Sequence, residues 1–185
     1  MTDATAETAP APAYAELQVA SNYSFLRGAS HPDELVVAAK ALGLAALAIA
    51  DRNSLAGAVR AHVAAREAGL RLVVGARLVP RDGPEVLCFP SDRAAYGRLC
   101  RLLTLGKRRV EKGACDFTFE ELLAHGAGQV FVVLPPEPLR VDHPHTPYPD
   151  AAFRSALARL RAARPDAERR LGRLSPSSPE PAGRR

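Results

Sequence analysis

Residues 93–112 form the most strongly charged stretch of the sequence, with seven basic residues and one acidic residue, Glu111. Clustered positive charge attracts a phosphate backbone without regard to base sequence, and the attraction weakens with salt. The candidates for nucleic-acid contact are Arg98, Arg101, Lys107, Arg108, Arg109 and Lys112. Two alternatives stay open, because such charges can also lie on a solvated face or dock another domain of the same chain.

The elements that must position these residues follow from the hydrophobic periodicity. Apolar runs at 14–20, 45–50, 71–79, 85–89 and 129–134 predict strands. Helices are predicted after Ser30 as an N-cap, from Ser54 to about Gly69, and over 91–105, with Lys107 to Arg109 in the loop that follows. A capping box at 118–121 predicts one more short helix. Strands alternating with helices indicate an α/β fold with a parallel sheet.

The spacing of apolar residues also predicts which helical faces are buried. In the helix after Ser54 and in the helix over 91–105, the apolar residues recur at helical spacing, so each helix has one apolar face. The first face consists of Leu55, Val59, His62 and Val63, and the second of Tyr96, Leu99, Leu102 and Leu103.

Composition divides the chain into five parts. Residues 1–13 are predicted to be a flexible leader, 14–134 one domain, 135–149 a Pro-rich linker, 150–174 a segment with a further helix, and 175–185 a disordered tail. The leader lacks the basic start and apolar core of a secretory signal, and no apolar run is long enough to span a bilayer. We therefore expect a cytoplasmic protein without a membrane partner.

Three motifs point to a known family. They are LQVASNYSFLRG at 17–28, AIADRNSLAG at 48–57 and VVGA at 73–76, and the runs RAAYGRLCRLLT at 93–104 and KRRVEKG at 107–113 accompany them. Over roughly 14–134 the sequence resembles the PHP domain at the N-terminus of bacterial C-family, DNA polymerase III alpha-type polymerases. The match is to the error-prone, DnaE-like branch used in damage-tolerant synthesis.

The resemblance implies a metal framework from which the ligands have been lost. Metal-binding PHP domains carry His-x-His followed by an Asp before the glycine, an Asp-His at a strand end, and a Glu after a glycine. Here Gln18 and Ala20 occupy the positions of the first two His, and Arg27 occupies that of the Asp. Arg52 occupies the position of the later His and Ala76 that of the Glu, whereas Asp51 is retained. One carboxylate cannot hold a catalytic metal. We therefore expect no catalytic residue, no bound metal and no cofactor.

The same mapping places Arg27 and Arg52 beside Asp51. An arginine fork can neutralise a carboxylate through two parallel hydrogen bonds, so we expect Asp51 to pair with Arg52, Arg27 or both. Two alternatives remain: both arginines are solvated, or the pair binds a phosphate or a DNA end. No glycine-rich phosphate loop accompanies them.

The family fold is a distorted βα barrel, and the chain is expected to supply only part of it, as a fragment of a polymerase. The first function hypothesis is a non-catalytic scaffold within an error-prone polymerase for translesion synthesis in DNA replication and repair. Its expected partners are other domains or subunits of a replication or lesion-bypass complex, and DNA through its backbone. The alternatives are a free-standing, metal-dependent PHP phosphoesterase and a small basic DNA-binding or interaction protein.

Overall fold

A computed structural model describes residues 13–135 and 151–163. The predicted tail, and nearly all of the predicted leader and linker, lie outside the described residues. The chain divides after Arg77 into two compact units.

The first unit is a βαβαβ segment. Its elements are β1 (Ala15–Val19), α1 (Pro32–Ala41), β2 (Ala46–Arg52), α2 (Ala58–Ala68) and β3 (Arg71–Leu78), which ends at the boundary. β1 pairs with β2, and β2 with β3, both in parallel. In the register of β2 and β3, Asp51 lies opposite Ala76 and Arg52 opposite Arg77. The strands predicted from the apolar runs are thus confirmed, and β2 extends through Arg52.

The core of the first unit lies between β2 and the two helices. β2 is buried from Ala46 to Asp51, as expected of a central parallel strand covered on both faces. The buried residues of the core are Val36, Ala39, Leu47, Ile49, Ala61, Ala65 and Leu70. The predicted inner face of α2 is wrong, because Val59 and Val63 are 73% and 51% exposed. Ala61 and Ala65 are buried in the core instead. Their small side chains allow the helix to pack closely against its neighbours.

Two predicted helix starts are shifted. His31, not Ser30, is the N-cap of α1, and its N–H donates to Glu34 Oε2 at 2.8 Å. The hydroxyl of Ser54 accepts from Ala56 N at 3.2 Å and so closes a local turn. As a result α2 begins at Ala58 with Gly57 as its N-cap. A side chain at Gly57 would meet Pro32 Cγ at 2.9 Å, so the glycine permits this close approach.

The second unit combines two strands with three helices among the described residues. They are β4 (Val86–Pro90), α3 (Arg93–Arg108), α4 (Phe119–Ala124), β5 (Gln129–Val133) and α5 (Ala151–Ala162). β4 and β5 are antiparallel, with Cys88 opposite Phe131. The buried Gln129 is satisfied by donating to Ala95 O at 2.7 Å and accepting from Cys88 Sγ at 3.4 Å.

Helix α3 carries most of the basic segment. Asp92 caps its start by accepting from Ala95 N at 2.7 Å. The predicted burial of Leu99, Leu102 and Leu103 is confirmed, whereas Tyr96 is 38% exposed. The helix runs three residues further than predicted, so Lys107 and Arg108 belong to its last turn and Arg109 is its C-cap. The predicted capping box of α4 is confirmed, since Thr118 and Glu121 bond each other's backbone N–H.

Within the described ranges, every helix is too short or too polar to cross a bilayer.

Candidate functional site

Four of the five positions at which the sequence predicts replaced metal ligands line one pocket in the first unit. The pocket has a volume of about 290 Å³ and lies where β1, β2 and β3 reach their carboxyl ends. Its lining consists of Gln18, Ala20, Ser24, Arg27, Ala50, Arg52 and Arg77. The fifth position, Ala76, is fully buried in β3 and is not part of this lining. Gln18, Ala20, Arg27 and Arg52, which belong to separate motifs of the sequence, therefore lie around one pocket.

Asp51 is held by serines in the loop that follows β1. Its carboxylate is 1% exposed. Oδ1 accepts from Ser21 N at 2.8 Å and from the Ser24 hydroxyl at 2.6 Å, and Oδ2 accepts from the Ser21 hydroxyl at 2.6 Å. Short bonds of this kind to a charged acceptor are about twice as strong as neutral ones. Asp51 therefore fixes the loop to the end of β2.

The predicted ion pair of Asp51 with an arginine is wrong. In the described part of the chain its hydrogen-bond partners are Ser21 and Ser24, not a guanidinium. Residues 50 and 52 line the pocket while Asp51 does not, because successive side chains of a strand point to opposite faces. The carboxylate of Asp51 is bound instead by the two serines of the loop after β1.

Three residues of the site were not predicted from the sequence. Ser21 and Ser24 hold Asp51, and Arg77 lies beside Arg52 on the neighbouring strand. The sequence signal for Ser21 and Ser24 was their position directly after a strand, because hydroxyl side chains in a short loop can donate hydrogen bonds to a buried carboxylate. Arg77 follows Ala76 by one position, and its role depends on the strand register.

The loop between β1 and α1 has a fixed conformation. Asn22 N donates to Ser30 O at 2.9 Å, and Gly28 N donates to Ser24 O at 3.0 Å. A side chain at Gly28 would lie 2.3 Å from Ser21 O, so only glycine fits there. Leu26 takes a positive φ of 60°, which is uncommon for a non-glycine residue. This backbone path carries Arg27 to the pocket wall.

The donor set of the pocket does not fit a catalytic metal. Ala20 has no donor atom, Gln18 offers a single amide oxygen, and Arg27 and Arg52 are permanent cations. None of the seven residues of the lining is a His, Cys, Asp or Glu. Across the described ranges, no group of three such residues is close enough together to hold a metal. We derive no metal chemistry from this site.

The basic segment is partly committed to contacts inside the second unit. Arg98 Nε donates to Ala127 O at 2.7 Å. Arg109 binds both carboxylate oxygens of Glu121, at 2.8 and 2.6 Å, and this fork lowers the pKa of Glu121 to about 2. The other four candidates, Arg101, Lys107, Arg108 and Lys112, are exposed.

Comparison with known proteins identifies the family of the chain. The family model of the PHP domain matches residues 16–138, about two thirds of the chain. The chain belongs to the PHP domain family. The match contains the strands and loops that form the pocket and the carboxylate contact.

The relatives that the chain matches are long proteins. The error-prone DNA polymerase of Caulobacter vibrioides is 54% identical over 129 residues, which is 69% of this chain and 12% of the polymerase. Error-prone DNA polymerase 1 of Agrobacterium fabrum is 56% identical over 67% of this chain and 11% of its own length. The error-prone DNA polymerase of Rhodopseudomonas palustris strain BisB5 is 45% identical over 88% and 16%. The chain thus spans less than a fifth of these relatives.

A solved structure confirms the expected fold class. A protein of Bifidobacterium adolescentis, described as a metal-dependent phosphoesterase, superposes with a TM-score of 0.59 at 19% identity. The match covers 82% of this chain and 76% of the other. At this identity the likeness shows the fold alone, and it confirms the predicted α/β fold of the PHP type.

Replacing Asp51 tests whether the serine contact holds the first unit together. We expect Asp51→Ala to lower the free energy of unfolding by about 2–3 kcal/mol, because it leaves buried donors of Ser21 and Ser24 without their acceptor. Urea unfolding monitored by circular dichroism measures the loss. The matched control is Asp33→Ala, whose half-exposed pair with Arg60 predicts a loss of at most about 1 kcal/mol. Equal losses in the two variants would contradict the account.

Proposed function

We propose that this chain is the PHP portion of an error-prone DNA polymerase used in translesion synthesis, and that it acts there as a scaffold without catalysis of its own. The observation that supports the proposal is the combination of 54% identity to such a polymerase with a pocket whose donors cannot hold a metal. The fold is retained although the metal ligands are replaced. A domain that only supports its neighbours has to preserve its packing, not its ligands.

The alternative of a free-standing phosphoesterase requires a catalytic ion in the pocket. Metal-dependent hydrolysis needs an ion to polarise the phosphoryl oxygen or to activate water. Arg27 and Arg52 would repel such an ion from the positions where ligands are needed. The fold shared with the Bifidobacterium protein does not by itself support this alternative, because fold alone does not carry function.

The proposed partners are the remaining domains of the polymerase and, through the exposed part of the basic segment, a DNA backbone. Arg98 and Arg109 donate hydrogen bonds to other residues of the second unit, Ala127 and Glu121. Arg101, Lys107, Arg108 and Lys112 therefore carry the proposed contact. Arg101, Lys107 and Arg108 belong to one helix, α3, and Lys112 follows its end. Cytoplasmic location follows from the proposed role in replication.

Sequencing the genomic DNA beyond codon 185 tests membership of a polymerase. We expect the reading frame to continue into a polymerase catalytic region, because the chain spans only 12% of the Caulobacter enzyme that it resembles. A genuine stop codon there, confirmed by a stable cellular product of 19.7 kDa, would overturn the polymerase proposal and favour a separate small protein.

Salt-dependent DNA binding tests the exposed basic residues. If each contacts a phosphate, replacing Lys107, Arg108 and Lys112 by Ala should reduce the slope of log K against log salt by roughly two to three units. Fluorescence anisotropy with a labelled duplex measures this slope. The control is the double variant Arg66→Ala and Arg71→Ala, whose exposed side chains lie in the first unit. An unchanged slope in the triple variant would leave docking or solvation as the role of these charges.

A further inference from the structure

The loop between β1 and α1 exposes two large apolar side chains in succession. Phe25 is 84% exposed and Leu26 is 89% exposed, more than any other large hydrophobic residue in the part of the chain that the structure describes. A single exposed leucine is ordinary on a protein surface, but contiguous exposed apolar side chains often mark a site of interaction. The pair therefore requires a reason other than the packing of the first unit.

Leu26 also has an unfavourable backbone conformation. Its φ is 60°, and in the described ranges only one other non-glycine residue, Asn53, has a positive φ. Asparagine tolerates this left-handed region because its short polar side chain can bond to nearby backbone, whereas leucine is strained there. Glycine would relieve the strain at position 26. Since the leucine side chain lies in water, it contributes little packing in return, and the fold of the first unit does not explain it.

Hydrogen bonds fix the loop on both sides of the pair. Ser24, directly before Phe25, donates from its hydroxyl to Asp51 Oδ1 at 2.6 Å. Directly after Leu26, Arg27 N donates to Ser24 O at 2.9 Å. The two apolar side chains are thus presented from a backbone that is ordered before any partner is present. Groups ordered in advance lose less conformational entropy when they bind.

The length of the relatives indicates what can cover the pair. The chain covers 12% of the Caulobacter polymerase and 16% of the Rhodopseudomonas polymerase, so most of such an enzyme lies outside it. A protein pocket can enclose both side chains, because large apolar residues pack in desolvated pockets at the centre of interfaces. A nucleic acid fits less well, since a base can stack on Phe25 but leaves Leu26 in water.

We propose that Phe25 and Leu26 dock the first unit onto a later part of the polymerase chain, in an apolar pocket with a carboxylate at its rim. The carboxylate faces Arg27, whose exposed side chain follows the pair. This docking rests on the proposed function, since it requires the rest of a polymerase. The strain at Leu26 is then offset by the burial of its side chain in the complete enzyme.

Hydroxyl-radical footprinting read by mass spectrometry measures the exposure of these side chains. It compares the 185-residue chain with a chimera, the Caulobacter polymerase in which the PHP segment is replaced by residues 16–138 of this chain. We expect oxidation of Phe25 and Leu26 to be at least about fivefold slower in the chimera, because an interface excludes water from its anchors. Equal rates in the two proteins would overturn the proposal. Protection of both residues in the 185-residue chain by a single-stranded oligonucleotide would also overturn it, in favour of a nucleic-acid partner.

The variant Leu26→Gly separates a role in the fold from a role in docking. In the 185-residue chain it should raise the midpoint of thermal unfolding by about 2–4 °C, because it relieves backbone strain and removes no buried contact. In the chimera it should speed the oxidation of Phe25, because one of two anchors is lost. The control is Val59→Ala, an exposed residue of α2, which should change neither quantity. A midpoint of Leu26→Gly that is lower or unchanged would show that Leu26 serves the fold, and it would contradict the proposal without the chimera.

Failure of the docking is distinguishable from failure of the proposed function. A stop codon after codon 185 would overturn membership of a polymerase, whereas the footprint of the chimera reports only whether such an enzyme covers this loop. Unchanged oxidation of Phe25 and Leu26 in a chimera that extends a primer would refute the docking and leave the polymerase assignment standing.

Discussion

The Asp51 carboxylate is almost completely shielded from water, and the arrangement of the first unit depends on how its charge is satisfied. A buried carboxylate without partners would be strongly unfavourable. Ser21 and Ser24 provide three donors to it at 2.6–2.8 Å. These bonds join the loop after β1 to the end of β2, which are separated by about thirty residues in the chain. The loop path, including the tight approach at Gly28, follows from this attachment.

The same attachment helps to hold together the strand end and the loop that line the pocket. In a metal site, the ion itself draws the strand ends and loops together. Here hydrogen bonds to Asp51 on one face and strand pairing between β2 and β3 perform that role. The opposite face presents the guanidinium groups of Arg27, Arg52 and Arg77 to the pocket.

Sequence alone predicted the strands and the fold class because buried parallel strands are continuous apolar runs. β2 shows this most clearly, with every residue from Ala46 to Asp51 buried. Prediction was less accurate where neighbouring groups compete. Ser54 looked like a helix cap but closes a turn with Ala56, and the alanine face of α2 was hidden behind the more apolar Val59 and Val63. The start of a helix and the face that it buries both depend on packing against other elements, and a local sequence pattern carries no information on that packing.

The site was predicted in position but not in its bonding. Gln18, Ala20, Arg27 and Arg52 line one pocket, and their assignment as replaced metal ligands stays a prediction. The Asp51 ion pair was wrong because charge complementarity suggested arginines, whereas the strand's alternation directs Asp51 to the serines. Arg77 joins the pocket only through its register with Arg52, and the commitment of Arg109 to Glu121 depends on where α3 ends. These are long-range relations that spacing along the chain does not reveal.

Restoring the family ligands in the pocket tests most directly whether side chains alone separate this site from a metal centre. The variant carries Gln18→His, Ala20→His, Arg27→Asp and Arg52→His, all within the pocket wall. After incubation with manganese or zinc and desalting, elemental analysis should find at least one ion per chain in the variant and none in the unchanged protein. A folded variant that retains no metal, or an unchanged chain that retains a stoichiometric ion, would contradict the account.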